Sequence, residues 1–264
     1  MLAIKTKNIL FVSQYLYPHG GGGSGRFVYD NARHLAQAGY QVDILLPRAA
    51  SDLKYQIDDD HINIHSFGSR LYFILKKFIP RTILDLIWSR HYVKKLLKKQ
   101  KYYLVVFHHL PAAAFCFNLK NLRGQKWLYQ FYASPFMEWK FEHEAAYTPA
   151  KKVFGFFLLW LEKRLYAHAP RLIVLSRYTK NILTDNFKVP VEKITELSGA
   201  VDTAQFYRRQ IVPAEINSLW PANTFKLLSV RRLEKRMGLE MLIKAVALLK
   251  EQGCKISLVI AGTG

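Results

Sequence analysis

The sequence predicts an α/β protein made of strand–loop–helix–strand units, with a parallel sheet in its first part and a second such unit near its carboxyl end. Three observations predict it. Ile9, Leu10, Phe11 and Val12 form a short apolar run, followed by a glycine-rich loop, an amphipathic pattern and a second apolar run from Val42 to Leu46. Apolar runs recur from Tyr103 to Phe107, from Trp127 to Phe131 and from Leu172 to Leu175. A further strand–helix–strand pattern occupies Leu227 to Val230, Leu239 to Leu249 and Ile256 to Ala261. Strands alternating with helical patterns in this way make parallel sheets.

The first unit is organised around its loop. Gly20, Gly21, Gly22 and Gly23 are followed by Ser24 and Gly25, then by Val28, Ala32 and Leu35 at helical spacing, with Gly39 placed to end the helix. Such a loop lets backbone N–H groups approach an anion, with a helix amino terminus behind them. Gly20, Gly22 and Gly25 fit a G-x-G-x-x-G dinucleotide pattern, although a run this rich in glycine matches it almost automatically. The acid that holds a nicotinamide ribose is absent, because the second strand ends Leu46-Pro47-Arg48. Arg48 keeps an NADP reading open. No G-K-[ST] follows the loop, which excludes a P-loop.

Composition narrows the classes. A chain of 264 residues, half of them hydrophobic, can bury a substantial core in one large domain or two small ones. Cys116 and Cys254 are the two cysteines and lie far apart, which suits a reducing compartment and argues against a disulfide scaffold or a zinc site. Lys5 and Lys7 precede an apolar run too short for a signal peptide. The longest apolar stretch, Val153 to Leu161, is about half of a membrane span. The formal charge of +20 calls for a partner. Between Arg70 and Lys101 there are ten Lys/Arg and a single acid, Asp85. Ile83, Ile87, Val93 and Leu97 could line one helix face there, with Lys94, Lys95, Lys98 and Lys99 largely on the other. That pattern fits an anionic membrane surface or a solvated helix. Nucleic acid is not expected, since no recognised binding motif accompanies the charge.

In a parallel sheet, ligands collect beyond the carboxyl ends of strands. His108-His109-Leu110-Pro111, Tyr132-Ala133-Ser134-Pro135 and Ser176 are therefore site candidates by position. Neighbouring strand residues point to opposite faces, so one histidine of the pair is expected to be a packed one. Glu138, Glu142 and Glu144 read as an ordinary charged helix or loop. The stretch from Lys151 to Ala167 reads as a helix apolar nearly all round, with Phe154, Phe156, Phe157 and Trp160 as core and part of it free to face a membrane.

A boundary is expected near Phe206, with residues 1–206 as the first domain, 207–223 as a linker containing Pro213 and Pro221, and 224–264 as the start of a second domain. The loop of that second unit is basic, Arg231-Arg232-Leu233-Glu234-Lys235-Arg236-Met237-Gly238. Cations at the carboxyl end of a parallel strand ahead of a helix make a diphosphate site, or else a solvated charge run.

Three stretches carry a family resemblance: YPHGGGGSGRFVYDNARHLAQAGYQV, LIVLSRYTKNILTDNFKVPVEKITELSGAVDTAQF, and KLLSVRRLEKRMGLEMLIKAVALL with LVIAGTG. Together they resemble retaining glycosyltransferases of the GT-B fold, family 4. The resemblance implies a complete Rossmann-like acceptor-side domain and the beginning of a Rossmann-like nucleotide-sugar domain. It implies sugar transfer with retention from a nucleotide-sugar to a glycan or lipid-linked glycan, without a metal or other cofactor. Gly22 and Gly23 would meet the donor phosphates, Arg232 would clamp the diphosphate and stabilise the leaving group, and Lys235 or Arg236 would supply a second cation. The last substitution is needed because the family's lysine before the glycine is Met237 here. Tyr132 stands where the family tends to have a histidine, and His109 matches a less strictly placed one. The family's E-x7-E segment is expected beyond Gly264, so these residues alone are expected to show no transfer. A cytoplasmic protein, peripheral at the inner membrane face, is the location that follows. The competing classes are an NADP-dependent oxidoreductase and a non-catalytic truncated protein that binds sugar or membrane.

Overall fold

The computed structural model describes residues 7–20, 22–47, 59–67, 70–143, 148–208, 213–234 and 237–263. They divide into two compact units, Met1–Gly199 and Ala200–Gly264.

In the first unit the elements run β1 (Asn8–Val12), α1 (Gly22–Gln37), β2 (Gln41–Pro47), β3 (Ile62–Phe67), α2 (Arg70–Leu75), α3 (Arg81–Lys99), β4 (Leu104–His108), α4 (Leu110–Ala113), β5 (Trp127–Phe131), α5 (Pro135–His143), α6 (Pro149–His168), β6 (Leu172–Val174), α7 (Arg177–Asn181) and β7 (Ile194–Glu196). The strands form one parallel sheet in the order β3-β2-β1-β4-β5-β6-β7. Alternation along β1 shows how the sequence builds two cores. Ile9 and Phe11 point to one face, where Val28, Ala32 and Ala36 of α1 pack with Val42, Ile44 and Leu46. Leu10 and Val12 point to the other, where Leu86, Val93 and Leu97 of α3 and Leu158, Leu161 and Leu165 of α6 join Phe107, Tyr129 and Phe131. Each fully buried Leu, Val or Phe contributes about 1.5–3 kcal/mol, which is why these stripes fix which helix covers which face. Gly39, with φ 85°, closes α1 as the sequence predicts: its N–H donates to Ala36 O at 2.9 Å and that of Tyr40 to Leu35 O at 3.0 Å.

Two helix faces differ from the sequence reading. In α3 the buried stripe is Leu84, Leu86, Val93 and Leu97, while Ile87 is exposed. Asp85 sets this phase, since its carboxylate accepts from Tyr72 Oη at 2.5 Å and Gln14 Nε2 at 2.9 Å and has to face inward. Lys94, Lys95, Lys98 and Lys99 all face solvent. In α6 one stripe is buried, but Phe156 (71 % exposed) and Trp160 (48 %) are not core. Gly155 explains the close seating of α5 on this helix, because a Cβ there would lie 2.4 Å from the Trp139 ring. Among the described residues no helix is long and apolar enough to cross a membrane.

The second unit contains α8 (Ala214–Asn217), β8 (Phe225–Val230), α9 (Leu239–Glu251) and β9 (Ile256–Ala261). β8 and β9 pair in parallel, and Val246 of α9 and Ile256 are buried. Phe225, Leu228, Val230, Met241 and Ile243 are exposed.

Candidate active site

The strand order reverses between β1 and β4: from β1 the chain moves outward through β2 and β3, then returns to lay β4 on the other side of β1. The carboxyl ends of these two strands diverge into connections on opposite sides, which opens a crevice. Ser13, Gln14 and Tyr15 leave β1 there, Ser24 enters from the first turn of α1, His109 follows β4, and Tyr132 follows β5.

His109 is the hub. Its backbone is left-handed (φ 73°), a conformation that costs a residue with a side chain about 1–3 kcal/mol and persists only when neighbours enforce it. They do so from several directions. The N–H of Gln14 donates to Nδ1 at 3.5 Å, and Nε2 lies 3.0 Å from Ser24 Oγ. The ring meets Tyr15 edge-on at 5.0 Å and stacks on Tyr132 at 5.2 Å. A backbone N–H can only donate, so Nδ1 is the acceptor and the proton of the neutral ring sits on Nε2, toward Ser24. Burial lowers the His109 pKa to about 4. At neutral pH the group is thus an uncharged hydrogen-bonding imidazole and not a cation for phosphate.

Because the chain turns left-handed after His108, the two imidazoles do not simply part to opposite faces. His108 is buried against Phe11 at 4.9 Å, yet its Nδ1 lies 2.8 Å from Tyr132 Oη. Burial drives its pKa well down and that of Tyr132 up, so the imidazole stays neutral and the phenol keeps its proton. Nε2 of His108 has no partner among the described residues. Tyr132 therefore contacts both histidines and packs edge-on to Phe27 of α1 at 5.7 Å.

The β5–α5 turn that carries Tyr132 is held from below by Glu162 of α6, which is fully buried. Its Oε2 accepts from Ser134 Oγ at 2.8 Å and from Tyr166 Oη at 3.0 Å, and its Oε1 from the N–H of Phe136 at 2.5 Å. Burial outweighs these bonds and raises the carboxyl pKa to about 7. Nothing in the pattern around Glu162 announces this role, since it reads as one polar residue in an apolar helix. Ser24 and Gln14 were equally silent: the first is hidden in the glycine run, the second follows a strand by only two residues. Glu138 and Glu142 are exposed on α5, and Glu144 lies outside the described residues.

The loop itself is shaped by Gly25. The N–H of Tyr17 donates to Gly25 O at 3.2 Å, and a Cβ on Gly25 would stand 2.1 Å from Gly20 O. A backbone carbonyl cannot swing aside as a side-chain tip can. Gly25→Ala is therefore expected to cost about 2 kcal/mol, read as a lower urea midpoint at unchanged m-value, and a parent-like midpoint would contradict the packing. Gly22 (φ 51°) and Gly23 begin α1, and a Cβ on either would meet nothing within 4 Å. The amino end of a helix with no acid in its first turn is thus open on that side.

In the second unit the strand β8 runs into Arg231 and Arg232. The N–H of Arg231 donates to Ala261 O at 3.1 Å, and Gly262 lies so close beneath that a Cβ there would stand 1.8 Å from Arg231 O. Arg232 is exposed and pairs with Glu234, Nη1 to Oε1 at 2.8 Å. Lys235 and Arg236 lie outside the described residues, as do Gly21 and the Arg48 of the NADP reading. Among the described residues no group of three or more His, Cys, Asp or Glu converges to hold a metal.

A profile of Glycosyltransferase Family 4 matches residues 21–205. Among solved structures, the chain is similar to sucrose-phosphate synthase from Thermosynechococcus elongatus, with a TM-score of 0.72 at 20% identity over 97% of this chain and 62% of that one. A glycosyltransferase from Rickettsia africae gives 0.60 at 17% identity, over 98% and 61%. Anabaena Alr3699/HepE, in complex with UDP and glucose, gives 0.59 at 16% identity, over 97% and 61%. The chain thus spans about three fifths of the length of these structures. No curated protein sequence matches it. The parallel sheet with its switch point after β1, followed by a second strand–helix–strand unit, is the GT-B fold, and the chain belongs to Glycosyltransferase Family 4.

Proposed function

We propose that this chain serves the transfer of a sugar from a nucleotide-sugar donor to a glycan or lipid-linked glycan, with retention of configuration. The observation that carries the reading is the convergence of His109, Tyr132 and the glycine loop at the switch point of the sheet. Departure of a nucleoside diphosphate builds negative charge on the leaving oxygen, and fixed donors aimed at that charge lower the barrier. We assign this task to the open amino end of α1 at Gly22 and Gly23, and to Arg232 with Lys235 and Arg236. The reading uses these groups and no metal. His109 and Tyr132 are neutral donors and acceptors, suited to sugar hydroxyls rather than to phosphate. The UDP and glucose bound by the Anabaena protein support a nucleotide-sugar donor. Family membership sets the NADP-dependent oxidoreductase aside.

Radiolabelled UDP-, ADP- and GDP-sugars, each offered with glycan and lipid acceptors, are expected to pass label to an acceptor. No transfer with any of them, alongside tight binding of a nicotinamide dinucleotide, would overturn the reading. We propose in addition that turnover needs more of the second unit than β8, α9 and β9 provide. Residues 1–264 by themselves are then silent in the assay.

We place the protein at the cytoplasmic face of a membrane, held peripherally. The segment between Arg70 and Lys101 supports this, because its one acid, Asp85, is buried and pairs with Arg81 at 3.5 Å, while Lys94, Lys95, Lys98 and Lys99 face solvent. Replacing Lys94, Lys95, Lys98 and Lys99 with Gln is expected to weaken co-sedimentation with anionic vesicles by about tenfold or more, each lysine near the surface contributing about 1 kcal/mol. Added salt acts in the same direction. Unchanged sedimentation would leave α3 as a solvated helix.

A further inference from the structure

We propose that the trough between α5 and α6 binds the hydrocarbon chain of a phosphate-bearing lipid, and that this selects a lipid-linked acceptor for the transfer proposed above. The substrate role rests on that reading; the binding does not. The trough holds about 460 Å³, within the range of ligand sites. Phe136, Phe141, Leu159 and Phe187 give it apolar walls, while Lys140 from α5 and Lys163 from α6 stand on its two sides.

Several features favour this occupant. Neither lysine pairs with an acid among the described residues, and Glu138 and Glu142 of α5 do not line the trough. The Asn186 amide, also on its wall, donates to Met137 Sδ at 3.5 Å, a weak acceptor that a phosphate oxygen would readily replace. A free sugar would leave hydroxyls unsatisfied against phenylalanine, and free phosphate would leave the apolar walls wet. A chain that carries a phosphate satisfies both. The trough also has an extension. A second hollow of about 500 Å³ shares Leu159 and Lys163 with the first and is lined by Phe156 and Trp160, with Arg164 lying over the Trp160 ring at 5.1 Å. These aromatics lie outside the stripe that α6 buries against the sheet, so folding of the unit does not use them.

Position ties the trough to the active site. The helix α5 begins at Pro135, three residues after Tyr132, and the N–H of Phe136 in the trough wall is held by the same Glu162 that fixes the turn. A lipid seated here would present its phosphate-linked end on the layer of helices whose outward face includes the lysines of α3, since α3 and α6 pack into the same core.

The test is calorimetric titration of the chain with decyl phosphate below its micelle-forming concentration, with decyl glucoside and inorganic phosphate as controls. Decyl phosphate is expected to bind at least about tenfold more tightly than decyl glucoside, a preference that the double variant Lys140→Gln/Lys163→Gln abolishes. Leu159→Trp, which fills the trough, is expected to weaken both amphiphiles by about tenfold or more. Circular dichroism checks its fold, and Phe141→Asp takes its place if the fold is lost. Affinities unchanged in these variants would overturn the proposal, as would full competition by inorganic phosphate. Binding without transfer in any assay would sink the transfer reading and leave the lipid site standing; transfer to a soluble glycan without decyl phosphate binding would do the reverse.

Discussion

Arg232→Ala is expected to lower kcat/KM for sugar transfer by about 10²-fold or more, the range found when one fixed donor to a developing oxyanion is removed. The structure gives the reason that folding is expected to survive the substitution. Arg232 is exposed, and among the described residues its guanidinium makes a surface ion pair with Glu234, which contributes little to stability. The same weakness lets a diphosphate compete for the guanidinium at small cost. Arg232→Lys keeps the charge but loses the planar fork, so it is expected to recover only part of the rate. The measurement is made in the longest reading frame that supports turnover, with the urea midpoint as the control. Equal turnover in Arg232→Ala and parent would remove Arg232 from the reaction.

Local structure was legible in the sequence wherever one signal met no rival. β1, α1 and Gly39 were readable because an apolar run, a glycine loop and a left-handed stop each act within a few residues. Trp127–Phe131 and Ile256–Ala261 were readable as uninterrupted strands. β3 was not, because Ile62–Phe67 carries Asn63, His65 and Ser66 and lies at the edge of the sheet, where a polar strand is tolerated. The phase of α3 was misread because Asp85 looks like a surface acid and is in fact the anchor of Gln14 and Tyr72. α6 looked buried all round because hydrophobicity does not say which side a sheet will cover. The candidate site shows the same division. His109 and Tyr132 are candidates by their place at strand ends, which topology alone dictates. Their contact with Ser24, 85 positions before His109, and the buried support of Glu162 are long-range and leave no periodic trace.

Glu162 yields the second large effect, on stability as a function of pH. In the unfolded chain its carboxyl titrates near 4.5, and in the native state at about 7. Between these values the native protein holds a proton that the unfolded chain has released. This contribution to stability is complete below about 4.5, falls by roughly 3 kcal/mol as pH rises through about 7, and is flat beyond. His108 and His109 oppose it. Both are buried neutral with lowered pKa, so they favour the unfolded chain as pH falls below the ordinary histidine range. The parent profile is therefore a sum of opposing slopes, and the informative quantity is the difference from Glu162→Gln. That variant keeps an oxygen acceptor and a near-identical shape but does not titrate. The urea-derived stability of parent minus Glu162→Gln is expected to drop by roughly 3 kcal/mol between pH 4.5 and pH 8, with its steepest change midway between the unfolded and native pKa values and levelling off above pH 7. Glu162→Ala is the harsher test. It leaves the Ser134 and Tyr166 hydroxyls and the Phe136 N–H without an acceptor in a dry interior, at about 1–3 kcal/mol for each group. A loss of about 3 kcal/mol or more is expected, together with loosening of the turn that carries Tyr132. A parent-minus-Gln difference that stays flat across the range would show that the carboxyl is ionised in the folded protein, and the account of the turn would fail with it.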